Sequence, residues 1–191
     1  RVELYAYGAL IGVTYTDENG YYYYGGLPAG TGTIVVVPPA DMTQTYDADG
    51  LDSANQSTVT IGTGEINLLQ DFGYRGPGSI GNLVWEDRNA NGLPDQDEPG
   101  IEGVTLDLYW DLNGNGVVDP GEPRLGSTVT DSKGCYLFDG LATDDGGGNA
   151  QYVVVVTDTA GVLDGWWHSL GTSGADNNSQ TDPYAVTLTP T

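Results

Sequence analysis

The feature that most constrains this chain is that it carries nearly the same pattern twice. "LYAYGALIGVTYTDENGYYYYGGL" at 4–27 aligns with the stretch that opens "LYW" at 108 and closes "RLGSTVTDSKGCYLFDGL" at 141. Leu4 and Tyr5 match Leu108 and Tyr109, and Asp17, Gly20, Tyr22 and Leu27 match Asp131, Gly134, Tyr136 and Leu141. The offset is 104 for the first pair and 114 for the later ones, so ten extra residues sit inside the second copy. Downstream, "TIVVV" echoes "YVVVV", and "DSANQSTVTI" echoes "DNNSQTDPYAVTL". A chain of 191 residues that repeats itself at this distance predicts two like modules, 1–75 and 80–191, joined by a Gly/Pro/Ser break at 76–79.

The local signals in each copy are those of strands. Short runs of Val, Thr, Tyr and Ile are bounded by turn residues, "DENG" and "DSKG" suit hairpins, and no stretch long enough for a helix holds a 3.6-residue period. The expected class is all-β, with each module a sandwich. In "GYYYYGGL" a period of two puts Tyr22 and Tyr24 on one face and Tyr21 and Tyr23 on the other. The repeat then places Tyr136 with Phe138 inside and turns Cys135 outward with Tyr21. With one cysteine, no internal disulfide can form.

Charge narrows the partners. Acids number 27 against five lysines and arginines, a formal net charge of -22. No basic patch exists to neutralise phosphates, so nucleic acid and anionic membrane are poor partners. Such a chain repels itself when compact, and bound cations are the natural relief. Apolar runs such as Ile34 to Val37 are far shorter than the roughly 20 residues that span a bilayer, and no signal peptide or lipid anchor is visible.

The strongest chemistry lies in "DRNANGLPDQDE" (87–98) and "DLNGNGVVDPGE" (111–122). Both follow D-x-N-x-N-G-x-x-D-x-x-E, the spacing of a calcium loop. That spacing has oxygen ligands at positions 1, 3 and 5, a backbone carbonyl at 7, an acid at 9, a bidentate Glu at 12, and Gly at 6 for the sharp turn. The first loop offers Asp87, Asn89, Asn91, the carbonyl of Leu93, Asp95 and Glu98; the second offers Asp111, Asn113, Asn115, the carbonyl of Val117, Asp119 and Glu122. Neither contains His or Cys, which disfavours zinc and copper. With Asn at positions 3 and 5, the ligand charge suits calcium-rich extracellular fluid better than cytosolic sensing. The competing reading is a pair of solvated Asx turns. The flanks "SIGNLVWE", "GVTLDLYW" and "RLGSTVT" read as strands, so helical calcium switches of the EF-hand or dockerin kind do not fit. The strand of about ten residues after loop 87–98 would span roughly 30 Å, which puts the second loop at the opposite pole, near the linker.

Asp47, Asp49 and Asp52, with Asp176 and Asp182 in the matching loop, form a candidate further metal site or plain turn formers. Asn55-Gln-Ser and Asn177-Asn-Ser match the N-glycosylation sequon.

"SIGNLVWEDRNANGLPDQDEPGIEGVTLDLYWD", "TDSKGCYLFDGL" and, in the first copy, "TDENGYYYYGGLPAGTGTIVVV" ending "DFGY" resemble the SdrD B-like repeats of bacterial surface proteins, relatives of the collagen-adhesin B-type (Cna-B) domains. The resemblance implies tandem Ig-like or prealbumin-like sandwiches that bind calcium and serve as rigid extracellular stalk or spacer units. Lys133, in the "DSKG" turn, is the single lysine, so the Lys–Asn isopeptide bond of many such domains is not expected. The first module lacks the "SIGNLVWED" strand and loop, and the second lacks a "DFGY" strand. The chain is then either an excerpt of a longer array or is completed by strands from neighbouring subunits.

No nucleophile elbow, phosphate loop or zincin motif accompanies the one histidine, His168, so an enzyme is not expected. The competing class is an adhesin or carbohydrate-binding module, in which Trp166 and Trp167 would stack on a host or glycan ligand.

Overall fold

A computed structural model describes residues 1–17, 19–171 and 179–190. Among these residues every regular element is a strand. The chain divides into two compact units, Arg1–Pro77 and Gly78–Thr191.

In unit 1 the strands are β1 (Val2–Ala6), β2 (Ala9–Thr14), β3 (Gly30–Val36), β4 (Thr43–Asp47), β5 (Gln56–Ile61) and β6 (Phe72–Arg75). They form one sheet of order β2-β1-β3-β5 and a second of order β4-β6. Unit 2 holds β7 (Gly78–Leu83), β8 (Thr105–Trp110), β9 (Arg124–Val129), β10 (Cys135–Leu141), β11 (Ala150–Val156) and β12 (Tyr184–Leu188). Its sheets run β12-β11-β8-β9 and β10-β7. All the ladders are antiparallel, so tight turns and Asx-rich loops suffice as connections.

The four-stranded sheets are copies in detail. Val2 pairs with Val36 and Leu4 with Ile34; Leu106 pairs with Val156 and Leu108 with Val154. Both copies carry the same irregularity, between Leu4 and Tyr5 against β2 and between Leu108 and Tyr109 against β9. These pairings make Ile34 the counterpart of Val154, whereas the written echo of "TIVVV" with "YVVVV" aligns it with Val153. A slip of one residue exchanges the two faces of a strand, so the pleat decides the equivalence.

The alternation of the tyrosines holds. Tyr22 and Tyr24 pack on the core of Val2, Leu4 and Ile34, while Tyr21 and Tyr23 face solvent. The inner rings meet edge-on at 6.3 Å, and the Tyr24 hydroxyl donates to the Val2 carbonyl at 2.7 Å. Burial pushes the Tyr22 hydroxyl up to about 12. In unit 2, Tyr136 and Phe138 repeat the edge-on contact at 6.1 Å, and Cys135 is exposed. The strand expected at Tyr21–Tyr24 is absent, although its counterpart β10 is a full strand. The difference is a partner: β10 has β7, and unit 1 has no equivalent of β7 among its described residues.

Candidate functional site

Both twelve-residue loops lie in unit 2. The first follows β7 and is closed at its base by the bridge between Trp85 and Gly100; the second joins β8 to β9. Most of their internal hydrogen bonds match. In the first loop, the Asn89 and Asn91 amide groups donate to Asp95 Oδ2 at 2.7 and 2.8 Å. In the second, Asn113 and Asn115 do the same to Asp119 Oδ2 at 2.8 and 2.7 Å. The position-1 carboxylates accept backbone N–H groups from their own turns: Asp87 from Asn91 and Gly92, Asp111 from Gly114, Asn115 and Gly116. At position 12, Glu98 accepts from Arg88 and Asp95, and Glu122 from Leu112 and Asp119. The Asn oxygens close the tight turn, Asn91 accepting from Leu93 and Asn115 from Val117.

This curl requires left-handed backbone at two places. The position-6 glycines Gly92 and Gly116 have φ of +72° and +77°. At position 4 the loops differ in residue but not in conformation, with Ala90 at +57° and Gly114 at +72°.

Outside the curl the loops differ. The Ser169 hydroxyl, then the N–H groups of Gly92, Asn91 and Ala90, hold the Asp87 carboxyl below its ordinary range. Ser179 N–H donates to the Gly92 carbonyl at 2.8 Å, Gly171 N–H to the Ser179 carbonyl at 3.1 Å, and the Ser179 hydroxyl to the Ser169 carbonyl. The approach is so close that a Cβ on Gly92 would lie 2.4 Å from Gly171 Cα. The second loop instead rests on β11 and β12. Asp111 N–H donates to the Gln151 carbonyl at 3.0 Å, and a Cβ on Gly116 would meet the Ala185 methyl at 3.1 Å. The amides of Asn113 and Asn115 lower the Asp119 carboxyl.

The ladder registers place the loops at opposite ends of unit 2. Loop 111–122 starts where Trp110 meets Tyr152, next to the Ala150–Leu188 pair; Leu188 lies beside Gly78, the start of β7. Loop 87–98 follows the other end of β7, where Leu83 pairs with Cys135.

The remaining candidates are scattered. Asp47 is buried, accepting from the Gln44 amide at 2.8 Å, and Asp49 accepts Thr58 N–H at 2.9 Å. Asp52 is exposed, and Asp182 accepts Val156 N–H at 3.0 Å, at the end of β11. Asp176 and Asn177 lie outside the described residues. Among the described residues no three Asp, Glu, His or Cys side chains gather, and in each loop the convergent set mixes carboxylates with amides. Asn55 Oδ1 accepts the Tyr74 hydroxyl at 2.9 Å, a structural use for a sequon residue. Lys133 is exposed in its turn, where Asp131 accepts the N–H groups of Lys133 and Cys135. Trp166 is half exposed and Trp167 almost fully so. No helix among the described residues is long and apolar enough to cross a membrane.

Residues 78–190 match the family model described as the SdrD B-like domain, which covers more than half of the chain. This chain belongs to the SdrD B-like domain family. The match spans both loops and unit 2 up to residue 190. Relatives include serine-aspartate repeat-containing protein F of Staphylococcus epidermidis, 37% identical over 139 residues, 70% of this chain and 8% of the relative. Another is serine-aspartate repeat-containing protein C of Staphylococcus aureus (strain N315), 35% identical over 184 residues, 93% of this chain and 17% of the relative. The chain thus spans less than a fifth of these relatives. A Streptococcal ancillary pilin aligns over 86% of this chain and 40% of its own, with 13% identity and a TM-score of 0.31.

Proposed function

We propose that this SdrD B-like chain is a calcium-stabilised structural repeat of an extracellular bacterial surface protein, a rigid stalk or filament unit rather than an enzyme. The observation that carries the reading is the shared hydrogen-bond pattern of the two loops. Two loops of different sequence keep the same inward set of Asp, Asn, Asn, Asp and Glu. Ordinary turns need only one or two of these. The carboxylate oxygens and the Asn Oδ1 atoms are hard oxygens, the ligand type of calcium. The carboxylate at position 9 draws two amide N–H groups, which marks it as the focus of negative charge. Each Asn oxygen accepts one backbone N–H and keeps a second lone pair. Asp87, Asn89, Asn91, Leu93, Asp95 and Glu98 would hold one ion, and Asp111, Asn113, Asn115, Val117, Asp119 and Glu122 the other. Each ion would cross-link a loop with no disulfide to close it.

The array would be linear, in contact with like repeats, and at the cell surface or beyond it. Strand exchange between subunits would link the repeats. A second reading, an adhesin or carbohydrate-binding module, is favoured by the exposure of Trp167 beside Trp166; binding on a glycan array abolished by Trp167→Ala would establish it.

The test of the main reading is a thermal melt in millimolar calcium and again in excess EGTA, with magnesium as the control. Stabilisation should follow RT ln(1 + [L]/Kd), about 2.7 kcal/mol per site at a hundredfold excess over Kd. Equal melting points in the three conditions would reduce both loops to acidic turns.

A further inference from the structure

Each twelve-residue loop is closed at its neck by the same main-chain bond, Glu86 N–H to the Pro99 carbonyl at 2.9 Å in one and Trp110 N–H to the Pro123 carbonyl at 3.1 Å in the other. What differs is how the position-1 carboxylate is held. The hydrogen bonds to Asp111 come from its own turn, from the N–H groups of Gly114, Asn115 and Gly116. Asp87 accepts Asn91 and Gly92 in the same way and, in addition, the hydroxyl of Ser169, far along the chain. Ser169 is partly buried although Trp167, His168 and Leu170 beside it are exposed, so this one residue of the stretch is turned toward the loop.

A second tie reaches the peptide that joins positions 6 and 7. Its N–H, from Leu93, donates to Asn91 Oδ1 at 2.7 Å, and its carbonyl, from Gly92, accepts Ser179 N–H at 2.8 Å. In the other loop Val117 N–H makes the first of these bonds, to Asn115 Oδ1 at 3.0 Å, but no N–H among the described residues reaches the Gly116 carbonyl. The two serines also hold each other: Gly171 N–H donates to the Ser179 carbonyl at 3.1 Å, and the Ser179 hydroxyl donates to the Ser169 carbonyl. Residues 169–171 and 179 thus form a brace outside loop 87–98. It fixes the position-1 carboxylate and the peptide next to the Leu93 carbonyl.

We propose that Ser169 and Ser179 are positioning residues of the cation site in loop 87–98, so that calcium binding there and docking of the brace favour each other, while loop 111–122 takes its ion without such help. A hydrogen-bond partner of a metal ligand orients that ligand and changes the affinity without touching the ion. Coupling of this kind is reciprocal, so the brace is held more firmly by the same factor when the ion is bound. This rests on the calcium reading of both loops and adds to it a regulator of one site, the chain between β11 and β12.

The test is a calcium titration of the full chain followed by amide NMR. The Gly92 and Gly116 N–H signals report their own loops, since each donates to a position-1 carboxylate. Ser169→Ala should weaken calcium binding about tenfold as read at Gly92 and leave the Gly116 titration unmoved. Ser169→Thr, which keeps the hydroxyl, should restore the affinity. Hydrogen exchange reads the reciprocal effect: calcium should slow the Gly171 and Ser179 amides about tenfold, a change that Asp95→Asn removes and Asp119→Asn leaves in place. An unchanged Gly92 titration in Ser169→Ala, equal losses at the two glycines, or exchange at Gly171 and Ser179 that ignores calcium overturns the inference while both loops still bind. No response of either glycine to millimolar calcium would overturn the calcium reading itself, and the inference with it.

Discussion

Loop 87–98 and loop 111–122 share most of their internal hydrogen bonds, yet one is fastened to a segment more than seventy residues away and the other to the ends of β11 and β12. The glycine at position 6 shows the difference most directly. Gly92 and Gly116 share a left-handed backbone, but only Gly92 is pressed against another main chain, that of Gly171. The comparison separates what such a loop needs internally from what the rest of the unit asks of it. Internally it needs a curl around the position-9 carboxylate. The first loop, in addition, holds the chain at 169–171 and 179 in place.

The largest effect expected from this contrast is on stability. Gly92→Ala combines a left-handed backbone, worth about 1–2 kcal/mol for an L-residue, with an overlap that neither neighbouring backbone can relieve, worth about 1–3 kcal/mol. Gly116→Ala meets only a methyl group at 3.1 Å and should lose the backbone contribution of about 1–2 kcal/mol alone. Denaturant unfolding of the two variants measures the difference, and equal losses would show that the docking of loop 87–98 contributes nothing.

Next in size is the effect on cation binding. Asp95→Asn and Asp119→Asn each remove the carboxylate on which two amides converge. In calorimetric titration with calcium each variant should lose one of two binding events and keep the other. Loss of both events in either variant would mean that the loops are not independent sites.

A smaller change concerns acid sensitivity. The folded-state pKa of Asp87 lies below the ordinary 3.8, with the Ser169 hydroxyl the leading cause, whereas that of Asp119 is lowered by the Asn113 and Asn115 amides within its own loop. A carboxyl lowered in the folded state contributes stability that is complete above its unfolded value and is lost as the pH falls through the folded value. Ser169→Ala should therefore raise the Asp87 titration toward 3.8 and leave that of Asp119 unmoved, as followed by carboxyl NMR. A parallel shift of both would contradict the separate causes.

The smallest effect lies at position 4. Ala90 holds a φ of +57° that Gly114 adopts in the other loop without a side chain. Ala90→Gly should gain about 0.5 kcal/mol, the relief of the left-handed backbone offset by the greater freedom of glycine in the unfolded chain. Gly114→Ala should lose a similar amount, since the Gln151 side chain at 2.9 Å is able to swing aside. Thermal melts resolve both, and a destabilising Ala90→Gly would show that the alanine methyl has a packing role.

Much of the fold was legible in the amino-acid order. The period of two in "GYYYYGGL" separated Tyr22 and Tyr24 from Tyr21 and Tyr23, because successive side chains of an extended chain point to opposite faces whether or not a partner strand is present. The internal repeat pointed to two similar units and predicted the shared face of Tyr136 and Phe138. Repeat matching went astray by one residue at "TIVVV" and "YVVVV", where runs of three and four valines carry no mark of register and only the Leu108–Val154 pairing supplies it. It also could not show that Tyr21–Tyr24 would lack a ladder, which depends on a strand that unit 1 does not contain among its described residues.

The loops divide in the same way. Their curl follows from residue types at fixed spacing, since Asx side chains bond to backbone two to five residues on and glycine permits the left-handed turns. The attachments of Asp87 to Ser169 and of Gly92 to Ser179 join residues 82 and 87 positions apart. The sequence by itself determined what could form within a dozen residues: alternation, turns and an oxygen-lined curl. The tertiary structure decided which loop is clamped and which tyrosines find a partner strand, because those outcomes depend on close packing between distant segments, and no local pattern records that contact.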